Sequence, residues 1–309
     1  MLFLDGVGIG TEDPSVNPFF RANLPSFRSL FDDVMPSLKM QFHLNGRAAF
    51  LPLDPTLGVD GLPQSGTGQT ALFTGVNAPQ LIGKHFGPYP YSTLRPILRE
   101  KNLFRQLTEA GKSVYFANAY PQRFFDYFSD KHTRLTVTTL SCSYCNMPLH
   151  RVEELRAGKA ISADITNAAW PRMGYPDIAP IQPAEAGRRL ARLSAEYDFV
   201  LFEYWRTDKA GHSEKMEEAV EVLEQLDGML SGVLHHLAAN DTLLLITSDH
   251  GNIEDMSSKV HTRNPVPVFL FGHRHQEVAE ALRQQPDLTA VTPAIVRSMN
   301  TIVRESIMS

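Results

Sequence analysis

Seven side chains of the kinds that bind divalent metal ions are distributed over most of the chain. They are three carboxylates, three imidazoles and one hydroxyl, namely Asp5, Ser65, Asp208, His212, Asp249, His250 and His261. Two neighbouring divalent cations need such a set, at about three or four protein ligands each. The residue types therefore predict a two-metal site, and with it an enzyme rather than a scaffold protein.

Most of these residues stand beside short apolar runs that predict buried strands. Asp5 directly follows LFL, Asp249 and His250 come just after TLLLIT, and Asp208 comes shortly after FVLFEYW. His261 instead precedes the apolar run VPVFLF. Because ligand sites in open α/β sheets form outside the carboxyl ends of the strands, we expect these side chains to converge at one edge of a sheet.

Taken singly, these motifs differ in strength. Asp208 and His212 form D-x-x-x-H, which places both side chains on one face if the segment is helical, but such pairs are common on surfaces. Asp5 alone could be a turn or cap residue. The glycines after it, GVGIG, lack the G-x-G-x-x-G spacing and the following helix of a dinucleotide fingerprint, which excludes a nicotinamide oxidoreductase. SDHGN followed by HTRNPVP is the most specific pair.

Ser65 lies in the stretch QSGTGQTALFTG, which predicts a turn leading into a helix at residues 69–74. A hydroxyl beside a helix amino terminus suits phosphate chemistry, because that end carries unpaired N–H groups and partial positive charge. Thr67 and Thr70 are rival nucleophiles in the same loop. A simple Ser/Thr helix cap would also explain this stretch on its own.

Composition excludes several classes of protein. The 309 residues carry a formal net charge of −5, with 43% apolar and 20% charged residues, and show no basic stripe of the kind that binds nucleic acid. The opening MLFLDGVG is too short for a signal peptide or membrane anchor, and its early strand suggests a natural start a few residues upstream. We expect a cytoplasmic protein of unknown oligomeric state. Cys142 and Cys145 are interpreted as two core thiols without a catalytic or zinc role.

The order of apolar runs predicts an α/β fold. Strands are expected at residues 2–4, 113–117, 199–203, 242–247 and 266–271. Helices are expected at 103–110, 184–196 and 293–300, with one long amphipathic helix over 213–237. We expect a single domain, 1–309, that contains a cap insertion at about 119–180. The aromatic stretch PQRFFDYFSDKH within it would attach the cap to the core or form a wall of the substrate site.

As an ordered set, the segments resemble the alkaline phosphatase superfamily of metalloenzymes, which includes cofactor-independent phosphoglycerate mutases, phosphopentomutases and nucleotide pyrophosphatases. LDGVG and TDKAGH resemble its metal-ligand segments, and SDHGN with HTRNPVP is most like the mutase branch. SGTGQTALFTG resembles its nucleophile turn, in which Ser or Thr stands ten residues before a helix-ending glycine. Counting back from Gly75 selects Ser65 over Thr67. The resemblance covers residues 1–118 and 184–300 and lapses in the cap.

The resemblance implies an alkaline-phosphatase-like core, a mostly parallel sheet flanked by helices, with two divalent ions, Mn²⁺ or Zn²⁺. One ion would take Asp208, His212 and His261, and the other Asp5, Asp249, His250 and the oxygen of Ser65. Ser65 would attack phosphorus to give a phosphoserine, which water would then hydrolyse. Polar residues near these segments are candidate substrate contacts, namely Asn17, Lys84, His85 and Arg95, although surface solvation explains any one of them better.

The predicted activity is that of a metal-dependent phosphatase acting on a small phosphate ester. The first alternative is a phosphomutase acting on a sugar phosphate or glycerate, and the second is a phosphodiesterase or nucleotide pyrophosphatase. Two departures weaken the mutase interpretation: the insertion has only about sixty residues, and Gln69 replaces the histidine that follows the mutase nucleophile turn. A phosphate-binding module without turnover is a further class, disfavoured because none of the seven residues is missing.

Overall fold

The protein is described by a computed structural model that covers residues 1–128 and 134–305, with side chains described up to residue 300. Its strands are β1 (Leu2–Leu4), β2 (His43–Leu44), β3 (Ala48–Leu53), β4 (Val114–Phe116), β5 (Asn118–Ala119), β6 (Ile161–Ser162), β7 (Phe199–Tyr204), β8 (Leu243–Ser248) and β9 (Val266–Gly272). Its α-helices are α1 (Pro25–Leu30), α2 (Ser65–Thr74), α3 (Ala78–Ile82), α4 (Arg95–Lys101), α5 (Leu103–Glu109), α6 (Gln122–Phe128), α7 (Val137–Tyr144), α8 (Val152–Arg156), α9 (Pro183–Glu196), α10 (Arg206–Ser213), α11 (Met216–His236), α12 (His275–Arg283) and α13 (Val291–Glu305).

A seven-stranded sheet in the order β2-β3-β9-β8-β1-β7-β4 forms the centre of the molecule. Strands β8, β1, β7 and β4 run parallel to one another, whereas β9 pairs antiparallel with both β8 and β3. The predicted α/β class with a central sheet between helices is confirmed. The sheet is mixed because β9 and β3 extend it at one side in antiparallel pairs. Strand β3, which follows the Asn45–Gly46 turn, was not predicted.

Helices cover both faces of this sheet, and the alternation of side chains along each strand supplies both cores. In β1, Leu2 and Leu4 pack on one face, against α1, α9 and α11, whereas Phe3 packs on the other. The second face is covered by α2, α4, α5, α7, α12 and α13. Fully buried strands read as continuous apolar runs, which explains why β7, β8 and β9 were recognisable in the sequence.

The predicted long helix over residues 213–237 is wrong at its start. The structure breaks it at Glu214, whose φ of 55° lies in the left-handed region, so that α10 ends at Ser213 and α11 begins at Met216. The break changes the chain direction between the segment carrying Asp208 and His212 and the helix that packs on the sheet. The helix predicted at 69–74 begins four residues earlier, at Ser65.

Residues between β4 and α9, apart from α7, form a smaller region beside the carboxyl edge of the sheet. Strands β5 and β6 pair in parallel, and a separate apolar cluster forms around the buried ring of Trp170. The aromatic residues at 124–128 lie in α6, whereas Ser129–His132 of the aromatic stretch lie outside the described residues. The interpretation of 119–180 as a cap within a single domain stays a prediction. Within the described chain, no helix has both the length and the apolar character needed to cross a membrane.

Candidate metal centre

All seven candidate ligands converge at one edge of the sheet. Asp5 follows β1, and Asp249 and His250 follow β8, at the carboxyl ends of parallel strands. Asp208 and His212 lie in α10, directly after β7. His261 reaches the same edge because β9 runs antiparallel and therefore begins there. The antiparallel β3 ends at this edge too, and the chain then leads to Ser65 at the start of α2.

The ligands divide into two groups of three, each with one possible donor atom per residue within 4.8 Å of the others. We name Asp208, His212 and His261 the outer cluster, and Asp5, Asp249 and His250 the inner cluster. The rings of His250 and His261 stack with centroids 3.9 Å apart, which makes the two clusters direct neighbours. This division is the one that the resemblance implied.

The outer cluster presents two imidazole nitrogens and a carboxylate to a common point. His212 Nδ1 lies 2.6 Å from Lys259 O, and His261 Nδ1 lies 2.7 Å from Pro63 O, so each Nδ1 donates its proton to a carbonyl. That tautomer leaves a lone pair on each Nε2, and these two atoms lie 3.2 Å apart. Asp208 carboxylate oxygens lie 3.3 Å and 3.5 Å from them. Backbone carbonyls that fix the histidine tautomer are a common feature of metal sites.

The inner cluster is almost completely enclosed. The side chains of Asp249 and His250 are fully buried and that of Asp5 is 14% exposed. His250 Nε2 lies 3.2 Å from Asp5 Oδ1 and 3.6 Å from Asp249 Oδ2. Asp249 Oδ2 is buried without a hydrogen-bond partner among the described residues. A buried carboxylate oxygen left in this way costs folding free energy unless a cation binds it, so the donor set fits a divalent metal.

The electrostatics of the two clusters support the same conclusion. Burial raises the pKa of Asp5 to about 7, and the charge of Asp249 adds to this effect. Burial alone would lower the pKa of His250, but the carboxylates of Asp249 and Asp5 outweigh it and raise that pKa to about 10. In the outer cluster, burial opposes ionisation of Asp208, but hydrogen bonds with His212 and His261 hold its pKa well below the usual range. Both clusters therefore stabilise a positive charge placed among their donor atoms.

Ser65 lies beside the inner cluster at the first residue of α2. Its Oγ is 2.9 Å from His250 Nε2 and 3.5 Å from Asp5 Oδ1. The rival hydroxyl of Thr67 is engaged with backbone groups rather than with the inner cluster. Its Oγ1 donates to Gln64 O at 3.2 Å and accepts from Phe86 N at 3.2 Å. Thr70 Oγ1 donates to Gly66 O one turn back along the helix.

Two glycines allow these segments to approach one another. Gly6 has a φ of 70°, and a Cβ built on it would lie 2.6 Å from Asp208 Oδ1. A Cβ on Gly68 would lie 2.7 Å from the carbonyl oxygen of Asp249. Side chains at either position would therefore separate ligand segments that are remote in sequence.

Glu254 is a buried residue of this centre that the sequence interpretation missed. Its Oε2 accepts hydrogen bonds from Gly8 N at 2.8 Å and from Asn252 N at 2.7 Å. Its Oε1 accepts from Thr262 Oγ1 and, at 3.1 Å, from Asn264 Nδ2. One carboxylate thus joins the loops that carry Asp5, Asp249 and His261. Its only sequence signal was its place five residues after Asp249.

Glu203 was also missed. It belongs to the apolar run of β7, yet its side chain faces the carboxyl edge of the sheet, and its Oε2 accepts from Thr138 Oγ1 at 2.5 Å. Burial raises the pKa of Glu203 to about 7. Its backbone is paired with the side chain of Asn118, at 2.7 Å and 2.9 Å, which connects β7 to the start of β5.

A cavity of about 1010 Å³ opens beside the inner cluster. Asp5 and Glu203 lie at its sheet end, α10 and α11 provide one wall, and residues 119–173 provide the other. The site therefore has a substrate-sized space between the core and the smaller region.

The four residues proposed for substrate contact lie outside this cavity wall. Asn17 is buried and caps the short 3-10 helix Pro18–Phe20, accepting from Phe19 N at 3.0 Å. His85 contacts Val59 O, and Lys84 Nζ lies over the ring of Phe86. Arg95 is the first residue of α4. Their role in substrate binding stays a prediction.

The sequence of the chain is similar to known metalloenzymes. Residues 182–302 match the model of the metalloenzyme superfamily. The 2,3-bisphosphoglycerate-independent phosphoglycerate mutase of Thiobacillus denitrificans is 34% identical over 113 residues, which is 34% of this chain and 21% of that protein. The enzyme of the same name from Antithamnion sp. is 31% identical over 110 residues, again 34% of this chain and 21% of the relative. The match thus spans about a fifth of these relatives.

Solved structures with the same fold cover nearly the whole chain. The PH0037 protein from Pyrococcus horikoshii superposes with a TM-score of 0.55 at 14% identity, covering 97% of this chain and 96% of that one. The alkaline phosphatase of the Antarctic bacterium TAB5 superposes with a TM-score of 0.50 at 12% identity, covering 97% of each chain. Residues 182–302 are thus similar to the metalloenzyme superfamily, and the fold of the chain is similar to that of an alkaline phosphatase.

Proposed function

We propose that the protein is a metal-dependent phosphoryl-transfer enzyme, specifically a phosphohydrolase that acts on a small phosphate ester through a phosphoserine at Ser65. The observation that carries this proposal is the position of Ser65 Oγ, 2.9 Å from His250 Nε2, at the amino terminus of a ten-residue helix and beside two clusters of metal-type donors. No other hydroxyl in this loop has comparable surroundings within the described chain, since Thr67 and Thr70 are bonded to backbone groups.

The two clusters would hold two divalent ions, either Mn²⁺ or Zn²⁺, because mixed imidazole and carboxylate donors accept both. When bound, the ions would favour the alkoxide of Ser65 and neutralise charge on the phosphoryl oxygens. The dipole of α2 adds partial positive charge at the same place, since the helix begins at Ser65.

The protein's own groups account for the remaining requirements of the reaction. Ser65 Oγ would attack phosphorus, the bond to the leaving alcohol would break, and the phosphoryl group would remain on the serine. His250 Nε2 lies 2.9 Å from the same Oγ as a donor atom of the inner cluster, so the serine proton would pass to solvent water rather than to this ring. Water attacking phosphorus would then release phosphate and regenerate the hydroxyl. The leaving alcohol would depart through the cavity beside Asp5.

A phosphomutase is the second candidate, because the named relatives are phosphoglycerate mutases. A mutase must retain the dephosphorylated intermediate until the phosphoryl group returns to it. The smaller region here has about sixty residues, and Gln69 stands beside Asp249, where burial raises the pKa of the carboxylate and the hydrogen bond from Gln69 only partly opposes that rise. Both features favour hydrolysis. A cytoplasmic location and the absence of a nucleic-acid partner stay predictions from composition.

Metal analysis combined with a phosphate-release screen tests the proposal. Purified protein is expected to contain up to two divalent ions per chain and to release phosphate from monoesters when supplied with Mn²⁺ or Zn²⁺. Phosphate that appears on another carbon of the substrate rather than free would identify a mutase. Binding of the ions without any phosphoryl transfer, in either form, would contradict the proposal.

A further inference from the structure

The cavity beside the inner cluster is larger than a small phosphate ester requires. Its volume is about 1010 Å³. Pockets of about 300–1,000 Å³ enclose ligands of the size of a typical drug molecule. A three-carbon phosphate ester would occupy a small part of this space. The size of the cavity therefore points to a bulkier leaving group.

Basic side chains are concentrated in the cavity wall although the chain as a whole has a net charge of −5. Five of them line it, from both the smaller region and α10: Arg123, Arg134, Arg172, Arg206 and Lys209. Within the part of the chain that the structure describes, none of the five forms an ion pair with a carboxylate. Arg134 donates to Tyr127 Oη, and Arg123 contacts Met173 Sδ. These cations are thus available to an anionic ligand.

The acidic residues of the same wall are engaged elsewhere. Asp164 accepts from Ser162 Oγ and from the backbone N–H groups of Asn167 and Ala169, which stabilises its own loop. Glu203 accepts from Thr138, as described above, and Glu221 accepts from Gln225 at 3.0 Å. Among the described residues, none of these carboxylates forms an ion pair with the basic side chains of the wall.

Aromatic rings face the same space from both walls. Trp205, between β7 and α10, is 42% exposed, and Tyr127 of α6 is 49% exposed. They are the two aromatic residues among the exposed large apolar side chains of the described chain. Lys209 Nζ lies 5.9 Å from the centroid of the Trp205 ring. An exposed ring beside cations offers a stacking surface for a planar ligand that also carries negative charge.

We propose that the leaving group of the substrate is a planar ring compound that carries a second anionic group, so that the substrate belongs to the class of phosphorylated nucleosides with a further phosphate. This inference rests on the proposed function, because the phosphoryl group that reacts must lie at Ser65. The ring would stack on Trp205, and the second phosphate would be bound by the basic side chains, Arg172 and Arg206 among them.

Equilibrium binding to the metal-loaded Ser65→Ala chain tests the ligand class without turnover. Four probes separate the contribution of the planar ring from that of the second phosphate. Adenosine 3′,5′-bisphosphate has both features, and inorganic phosphate has neither. Adenosine 5′-monophosphate has only the ring, and fructose 1,6-bisphosphate has only the second phosphate. We expect the bisphosphate nucleotide to bind about tenfold more tightly than either single-feature probe. Isothermal titration calorimetry measures each affinity, because Trp170 lines the same cavity as Trp205 and the fluorescence of the two rings would overlap.

Two further substitutions assign the two features to their residues. In the Trp205→Leu chain, the bisphosphate nucleotide is expected to bind no better than fructose 1,6-bisphosphate. In the Arg172→Gln/Arg206→Gln chain, it is expected to bind no better than adenosine 5′-monophosphate. Lys101→Gln is the matched control, because it removes one positive charge from an exposed position of α4 outside the cavity wall. It is expected to leave all four affinities unchanged.

The outcomes distinguish this proposal from the proposed function. Equal affinity for all four probes, or a nucleotide preference that survives Trp205→Leu, would overturn the ligand class. If the wild-type chain releases phosphate from simple esters but shows no preference for the nucleotide, hydrolysis stands and the ligand class is wrong. If the Ser65→Ala chain binds the probes in the expected order and the wild-type chain hydrolyses none of them, the ligand class stands and the hydrolytic function is wrong.

Discussion

The inner and outer clusters contain similar donors but differ in burial and charge. Asp249 and His250 of the inner cluster have fully buried side chains, whereas the side chain of His212 in the outer cluster is 45% exposed. The inner cluster holds two carboxylates and one histidine, and the outer cluster holds one carboxylate and two histidines. Their positions in the sheet explain the difference, since the inner ligands follow the central strands β1 and β8 while two outer ligands lie on the short helix α10.

This difference predicts two functions within one centre. The buried, more acidic inner cluster would hold its ion tightly beside Ser65, because two carboxylates are poorly solvated there and repel each other without a cation. The outer cluster reaches the surface through His212, where water and ligands can exchange. The predictions that follow test this contrast from the largest expected effect to the smallest.

Replacement of Ser65 by alanine is expected to have the largest effect on rate. Removal of the nucleophile should lower kcat by about 10³-fold or more, while metal content stays near normal because six other ligands remain. Steady-state kinetics and metal analysis of the same preparation measure both quantities. Thr67→Val is the control for a neighbouring hydroxyl. If Ser65→Ala retained activity and Thr67→Val lost it, the nucleophile would be Thr67.

Asp249→Asn is expected to remove the inner ion. Asp249 Oδ2 is buried without a hydrogen-bond partner. Replacement by an amide would therefore remove from the cluster a negative charge and the oxygen that is most available to bind a metal ion. We expect metal affinity at one site to fall by more than about 100-fold, with a comparable loss of activity. A metal titration with calorimetric detection measures this. Unchanged stoichiometry and affinity would contradict the ligand assignment.

His212→Gln provides the matched test of the outer cluster. Because His212 is half exposed, the loss of its Nε2 should weaken one ion by about 10–100-fold without affecting the other. Dialysis against a weak chelator should then remove that ion first. Loss of both ions together would show that the two clusters bind cooperatively, and the contrast between them would not hold.

Glu254→Gln is expected to affect both clusters moderately. An amide in place of the carboxylate would direct N–H groups at one pair of the four donors that now point at Glu254. We expect about tenfold weaker binding of both ions and a loss of about 1–3 kcal/mol in the free energy of unfolding. Glu100→Gln, at an exposed position of α4, is the control. Loss of stability with unchanged metal affinity would restrict Glu254 to a role in folding.

The smallest effect is the release of protons when metal binds. At pH 8 the ring of His250 is protonated, since its pKa, which burial lowers and the neighbouring carboxylates raise by more, is about 10. A ligand must lose its proton to bind metal, so filling the inner cluster should release about one proton at pH 8 and fewer as the pH rises above 10. A pH indicator in weak buffer measures the release. Asp249→Asn should reduce it, and metal binding without proton release in the wild type would contradict this assignment.

Much of the centre was predictable from local sequence. Apolar runs identified five strands, four of which border ligands, because fully buried strands consist of consecutive apolar residues. Polar residues at the ends of those runs then identified the candidates. Asn17 was selected only as a polar residue near these segments, and its side chain caps a short helix. A polar residue near a motif has the same local appearance whether it serves structure or substrate.

Other features depend on contacts between remote segments. β3 was not predicted, since its pairing with β9 gives it a place in the sheet that its own short sequence does not specify. Glu203 and Glu254 were missed because their hydrogen-bond partners lie elsewhere in the chain. Glu203 accepts from Thr138, and Glu254 accepts from Gly8 and Thr262.

The sequence by itself determined the chemical identity of the ligands and their places at the ends of strands, because those depend on residue type and on local hydrophobic pattern. Only the tertiary structure decided how the ligands divide into a buried and an accessible cluster, which hydroxyl lies beside His250, and which basic and aromatic side chains share the cavity. These properties depend on distance and solvent exclusion, and both arise only when segments more than a hundred residues apart pack against one sheet edge.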